Sequence, residues 1–514
     1  MRQHYQGLDL LRGLGIFILI WMHSAFYYFD GLYELDFDNP PPIVTLIGLM
    51  LMFAGIFAMI SGTAHTIQYF RKTAEQGFTS GKLLKYNTAN GFIMLIVAWL
   101  YFIVTGPGLV NMAEKSMNNS LLVDLIRNGI WKGFNLERFL YVDSLVMIGI
   151  NLLLIAPIFI IFTRKTRSAA KCFENNYCPF FCKDWGYAVG RCKRFRGSYC
   201  FQAPKLVSSG HVSPVHVSPG NVLPVIKDKE NAQLPTATPW LIFGLMFFAL
   251  SLLRIPLYEW YLGAVDRKSY GMVMLLNWFV NKNNPVMPYL SFGLLGSWMG
   301  VLLFRADWKR MVRQILPVGL VLFIAGATLY VQLPDTMLER SIDGKWFAIM
   351  TAHLGLFLLI VLAALRLFDF RKSGPVRRLH AGLAFINRFG VAGLTAFFFE
   401  SVVSAVIFRV FRLFWPDLSL NLPGSLLYGF SLALLWGFLL MLWEKHHYKY
   451  GIEYVICRLM TPFGHSAKQD KLEQAGVMER VGVMEQTGFA EQAGLSKQKD
   501  MARERVKLDT EERP

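Results

Sequence analysis

Near the start of the chain three ionisable residues, Asp9, Arg12 and His23, interrupt an otherwise apolar stretch. Asp9 and Arg12 are three residues apart and are therefore neighbours on a helix surface. Arg12 and His23 are eleven apart, about three turns, so His23 returns to nearly the same face about 16 Å further along the axis. Ionisable groups inside an apolar span are costly enough to mark functional candidates. Arg12, kept in place by Asp9, offers a planar fork for a phosphate or carboxylate. His23 has the chemistry of a general base toward a hydroxyl or an amine. Such a stripe suits a reaction that joins a cytoplasmic anionic donor to an acceptor deeper in, or beyond, the bilayer. The same residues equally fit an interfacial ion pair that fixes a helix end, together with a histidine that hydrogen-bonds a neighbouring helix. The residue types and spacing leave both readings open.

Other polar residues fall inside apolar runs. Glu400 sits among Thr395, Ser401 and Ser404 and should face the interior of a bundle, where it either lines an acceptor cavity or makes a structural contact. For His65 and His353 a structural hydrogen bond is the favoured reading. Gly296 and Gly300 read as a small-residue packing surface between helices.

These residues must be positioned by long apolar elements. The chain has 514 residues, 54% apolar and 17% charged. Charge is nearly absent from about ten runs long enough to cross, or nearly cross, a hydrocarbon core of about 30 Å. They are Gly13–Phe29, Ile43–Ala64, Gly91–Thr105, Ser144–Phe162, Pro239–Leu257, Tyr289–Phe304, Ile315–Val331, Trp346–Leu365, Phe389–Phe408 and Leu426–Trp443. The third and sixth are short and must extend into their flanks or form half-helices. The fold expected is an all-α, polytopic transmembrane helix bundle of about ten spans. A disordered chain, a collagen and a small secreted scaffold are excluded by the same distribution. No secretory leader is expected, because the first run carries His23 and lacks a small-residue cleavage site.

The 52 Lys and Arg exceed the 35 Asp and Glu by 17. With a cytoplasmic N-terminus, the connections on the outer side hold 12 basic residues, against 31 on the inner side. This bias places both termini in the cytoplasm, as expected of a protein of the plasma or inner membrane. Nearly half of the excess, a net +8, belongs to residues 163–238 alone. The charge therefore speaks of orientation and of anionic small molecules, with no call for nucleic acid.

Four regions follow: spans one to four in 1–162, an inserted segment at 163–238, spans five to ten in 239–465, and a tail at 466–514. The insertion joins a basic, cysteine-rich part, with Cys172, Cys178, Cys182, Cys192 and Cys200, to a Pro/Ser/Val linker in which His-Val-Ser-Pro is doubled at 211–214 and 216–219. Cys178, Cys182, His211 and His216 are ligand types that zinc accepts, but the 28 residues between the pairs are about twice a usual finger length. A reduced cytoplasmic insertion without a metal is the preferred reading. The tail repeats a six-residue unit from Gly476 to Lys499 and reads as a duplicated, disordered extension, too short for a stable solenoid.

The opening Gly7-Leu-Asp9-Leu-Leu-Arg12-Gly13-Leu-Gly15, with a histidine eleven residues after the arginine, resembles the first helix of the integral-membrane acyltransferase superfamily, which includes acyltransferase-three, heparan-α-glucosaminide N-acetyltransferase-like and YeiB-like proteins. Further similarities follow in order: Phe57 to Gly62, ending on Ser61-Gly62; Arg138 to Gly149, with Asp143; Pro285 to Gly300; and Tyr450 to Arg458, with Glu453. The basic pair that acyltransferase-three proteins carry after the second helix is at best Lys82 and Lys85, which favours the heparan-acetyltransferase-like group. The resemblance implies transfer of an acyl group, most simply acetyl, from cytoplasmic acyl-CoA to a sugar or other hydroxyl or amine acceptor. It implies His23 as the catalytic position with Arg12 and Asp9 as partners. Arg12, Lys82, Lys85 and Ser61 would serve the donor, and Asp143 with Glu400 the acceptor cavity. Acetyl-CoA would enter as a substrate, no metal is expected, and the partners are the bilayer and two small molecules. The rival reading is a transporter or exporter that uses the same stripe as its permeation path.

Overall fold

The computed structural model describes residues 5–35, 41, 43–44, 47–48, 54–74, 76–111, 114–131, 133, 135–174, 236–280, 284–305, 307–333, 342–370 and 383–464. Helix α1 is Gln6–Tyr27, α2 Ala54–Ala74 and α3 Ser80–Thr105. After α3 come a two-stranded hairpin, β1 Leu109–Asn111 and β2 Ser116–Asn118, and two short helices, α4 Leu121–Asn128 and α5 Leu136–Leu140. The chain continues through α6 Ser144–Glu174, α7 Thr238–Asp266, α8 Tyr270–Val280, α9 Val286–Phe304, α10 Trp308–Gln332 and α11 Gly344–Phe370. It closes with α12 Ala384–Val391, α13 Gly393–Phe414, α14 Leu422–Glu444 and α15 Ile452–Gly464.

Among the described residues nine helices are long and apolar enough to cross a bilayer. The chain is an all-α, multi-pass integral membrane protein of roughly ten spans. The remaining expected span, 43–64, is described only in part and ends in α2. The third expected run gains eleven residues at its start and the sixth three, so both become full spans. Helix α8 is additional: a largely apolar helix of eleven residues between the fifth and sixth spans. The ninth run divides at Ala392 into α12 and α13.

The chain forms two compact units, one of Met1–Ala156 with Trp240–Pro514 and one of Pro157–Pro239. In the smaller unit, α6 runs past the end of its span to Glu174, and the Thr163 hydroxyl donates to the Phe159 carbonyl at 2.7 Å. The cysteines and histidines from Cys178 to His216, the linker and the repeated tail lie outside the described residues.

In the larger unit α1 is central, packed on α12, α13 and α14 and touching α2 and α11. The glycines of its opening motif make this possible. A Cβ on Gly13 would lie 2.2 Å from the Ile386 carbonyl oxygen, a backbone atom that cannot give way. Helices α2 and α9 pack in the same manner: a Cβ on Gly296 would meet the Met59 carbonyl oxygen at 2.0 Å. Small residues thus let backbones approach where lipid supplies no hydrophobic drive for helix association. The outward faces are apolar too. Ile242, Trp260, Val321 and Val331 are all exposed, as expected of surfaces solvated by acyl chains.

The starts of α1 and α3 and the ends of α2 and α11 share one end of the bundle with α15. Asp369, at the end of α11, accepts from the backbone N–H groups of Gln6 at 2.8 Å and Gly7 at 3.0 Å. It thereby caps α1 from another element, satisfying donors that no side chain of α1 reaches.

Candidate functional site

The buried polar cluster begins on α1. His23 Nδ1 lies 2.6 Å from Glu400 Oε1 on α13, and the Tyr101 hydroxyl donates to the same oxygen at 3.2 Å. Glu400 is only 2% exposed, so the carboxylate is withdrawn from water and held by these two side chains. A donated Nδ1–H fixes the tautomer whose Nε2 carries the basic lone pair, and the carboxylate stabilises the imidazolium once a proton is taken up. The arrangement is a base with an orienting acid behind it, one of the recurring layouts of proton-transfer sites.

Each member has a local reason for its place. Tyr101 opens the Tyr101–Thr105 π-helical turn that ends α3, where the wider i→i+5 geometry closes with Gly106 N–H donating to the Tyr101 carbonyl at 2.6 Å. Its ring stacks on Phe397 at 4.6 Å, one turn before Glu400. Glu400 depends on the start of α13, which has no cap of its own. Glu453 on α15 supplies it, accepting from the backbone N–H of Leu394 at 2.7 Å and of Thr395 at 3.1 Å and from the Thr395 hydroxyl. The Thr395 hydroxyl oxygen in turn accepts from Ile452 N–H at 2.8 Å. Both helices that carry the His–Glu pair are therefore capped by a carboxylate from elsewhere in the fold.

His23 opens onto a cleft of about 280 Å³, solvent at its mouth included, that is also lined by Tyr27, Tyr28, Arg127, Ser401 and Ser404. Its far wall is the connection between α3 and α6. Arg138 holds that connection together through hydrogen bonds to the carbonyls of Phe102 at 2.6 Å, Asn118 at 2.5 Å and Pro107 at 2.8 Å. Burial pulls its guanidinium down to about 10, so it stays charged at neutral pH and its hydrogen bonds remain charge-assisted.

The expected stripe divides into two ends. Asp9 and Arg12 pair directly, and the Arg12 side chain is 47% exposed. Arg12 lies near His65 on α2, which stacks on Tyr69 at 6.1 Å. His23 is joined to Glu400, and through it to Tyr101, rather than to Arg12. Glu400 stands behind His23, and its helix sends Ser401 and Ser404 to the cleft wall in its place. Asp143 accepts from the Asn284 side chain at 2.6 Å and is near enough to Glu400 to repel it electrostatically.

At the other end, Lys82 lies 5.1 Å from the Phe78 ring centroid and Lys85 lies 5.9 Å from that of Phe463 on α15. Lys72, which sequence reasoning passed over, shares the Phe78 ring with Lys82 at 4.9 Å and lies 3.6 Å above the Tyr86 ring. Ser61 is half-buried near the middle of α2. His353 stacks on Phe357 at 5.4 Å. Tyr101 and Arg127 were also missed, since a tyrosine closing an apolar run and an arginine in a short amphipathic segment carry no distinctive spacing. Among the described residues no three His, Cys, Asp or Glu side chains converge as a metal site requires. In comparisons with known proteins, neither a protein-family model nor a curated protein matches the chain.

Proposed function

We propose that the protein is a membrane-embedded acyltransferase that moves an acyl group, most simply acetyl, from acyl-CoA to a hydroxyl or amine acceptor. The observation that carries this reading is the buried His23–Glu400 pair opening onto a cleft. Its second support is the sequence resemblance of the first helix. In the mechanism, the acceptor O–H or N–H gives its proton to His23 Nε2 as the oxygen or nitrogen attacks the thioester carbonyl carbon. The carbonyl–sulfur bond then breaks, and the leaving coenzyme A thiolate takes up the proton from the imidazolium. Glu400 and Tyr101 orient the ring and balance its charge through the step.

The donor would bind at the opposite end of α1. There Arg12, with Lys82, Lys85 and Lys72 nearby in the fold, offers cationic groups to the coenzyme phosphates. About 16 Å of helix rise separates Arg12 from His23, a gap of the order that an extended pantetheine arm spans. The excess of Lys and Arg in the even-numbered connections supports a cytoplasmic donor end with both termini on the same side.

His23→Ala abolishes acyl transfer in detergent while leaving membrane insertion intact; retained transfer would overturn the proposal. Mass spectrometry of envelope glycans and lipids, with and without the gene, identifies the acceptor. A buried histidine–carboxylate pair also serves as a proton relay in transporters. Acyl-CoA binding to purified protein separates the two readings, because a permease for another solute has no reason to bind it.

A further inference from the structure

We infer that Arg127 is an anion subsite for the acceptor, so that the molecule acylated here carries a carboxylate, phosphate or sulfate beside its reacting hydroxyl or amine. Arg127 projects from the last turn of α4 into the cleft that His23 lines. Its guanidinium lies 4.7 Å over the Tyr28 ring, and its Nη1 donates to the Met117 sulfur at 3.6 Å. Both are weak partners for a cation with five N–H donors. Among the described residues no carboxylate forms an ion pair with it. The acid one turn back, Asp124, is engaged by the side-chain amides of Asn128 at 2.6 Å and Asn119 at 3.4 Å, and Glu137 is engaged by Asn118 at 2.9 Å. The acid one turn away is thus held by amides rather than by this arginine.

A shared cleft links the two groups: His23 and Arg127 both line it, and it is open to solvent at its mouth. An acceptor that reaches into this cleft from its mouth meets both His23 and Arg127, with the hydroxyl-bearing residues Ser401, Ser404 and Tyr27 on the walls. The arginine then distinguishes acidic from neutral acceptors of the same shape, since a planar guanidinium binds a carboxylate or phosphate through paired N–H donors.

The inference rests on the acyltransferase reading only for the word acceptor; the anion preference is testable by binding alone. Purified full-length protein is equilibrated with matched pairs: glucuronate against its methyl ester, glucose 6-phosphate against glucose, and glycerol phosphate against glycerol as the headgroup arm. The wild type should bind the acidic member of at least one pair tenfold or more tightly. Arg127→Ala and Arg127→Gln should bring that ratio close to one, while Arg127→Lys keeps part of it. Thermal unfolding in detergent reports whether each variant is folded. If no pair shows a charge preference, or if the preference survives Arg127→Gln, the subsite is overturned. If the preference is present and obeys Arg127 but no acyl transfer occurs, the subsite stands and the acyltransferase reading fails.

Discussion

Replacing Glu400 by glutamine isolates the electrostatic role of the buried pair. The substitution keeps the volume and leaves an oxygen able to accept from His23 Nδ1–H and from the Tyr101 hydroxyl, which now meet at Oε1 at 2.6 and 3.2 Å. What it removes is the negative charge that stabilises the imidazolium after proton uptake. With Glu400 only 2% exposed, water does little to replace that charge. A hydrogen bond to a charged group contributes about 1.5–3 kcal/mol, and the low-dielectric surroundings put the loss at the upper end or beyond. In a general-base mechanism this amounts to a fall of about 10²- to 10⁴-fold in kcat. In the proposed mechanism the fall should appear in kcat rather than KM, because Glu400 stands behind His23 and is not among the residues lining the cleft. Glu400→Ala should lose as much activity and also destabilise the fold by about 3 kcal/mol, since it leaves His23 and the Tyr101 hydroxyl without their buried partner. The assay is transfer of labelled acetyl from acetyl-CoA by purified protein, run beside thermal unfolding in detergent. Full activity in Glu400→Gln would refute the argument that the carboxylate takes part in proton transfer.

Two further outcomes follow from the same geometry. Glu453→Ala removes the carboxylate that caps α13 from outside; thermal unfolding should show a loss of about 1–2 kcal/mol, with Glu453→Gln recovering part of it. Arg138→Lys cannot reproduce a fork that reaches the carbonyls of Phe102, Asn118 and Pro107, so amide hydrogen exchange should rise across 106–143 while the spanning helices stay protected.

Hydrophobic length was legible without coordinates. A backbone in lipid must satisfy its own hydrogen bonds, so each long uncharged run has to be a helix, and counting runs predicts the bundle. The exceptions show where local pattern stops. Ala392 divides the ninth run into α12 and α13, and the third run begins eleven residues before its apolar core, because flanking polar residues at a membrane surface do not stop a helix. His23 and Glu400 could each be picked out as costly polar residues in apolar runs, and the helical period placed Asp9 beside Arg12.

That His23 would face Glu400 rather than Arg12 was not legible, because the two residues are 377 positions apart and their meeting depends on how α1 and α13 are rotated and slid against each other. That rotation is set by backbone contacts at Gly13 and by the caps from Asp369 and Glu453, none of which leaves a periodic signal. Tyr101 and Arg127 join the site for the same reason: one through a π-helical turn, the other through a hairpin and short helices that fold back over the cleft. Residue types and apolar lengths alone determined that this chain spans a membrane and which ionisable groups it keeps there. Which of those groups share a proton was decided only by the packing of distant helices.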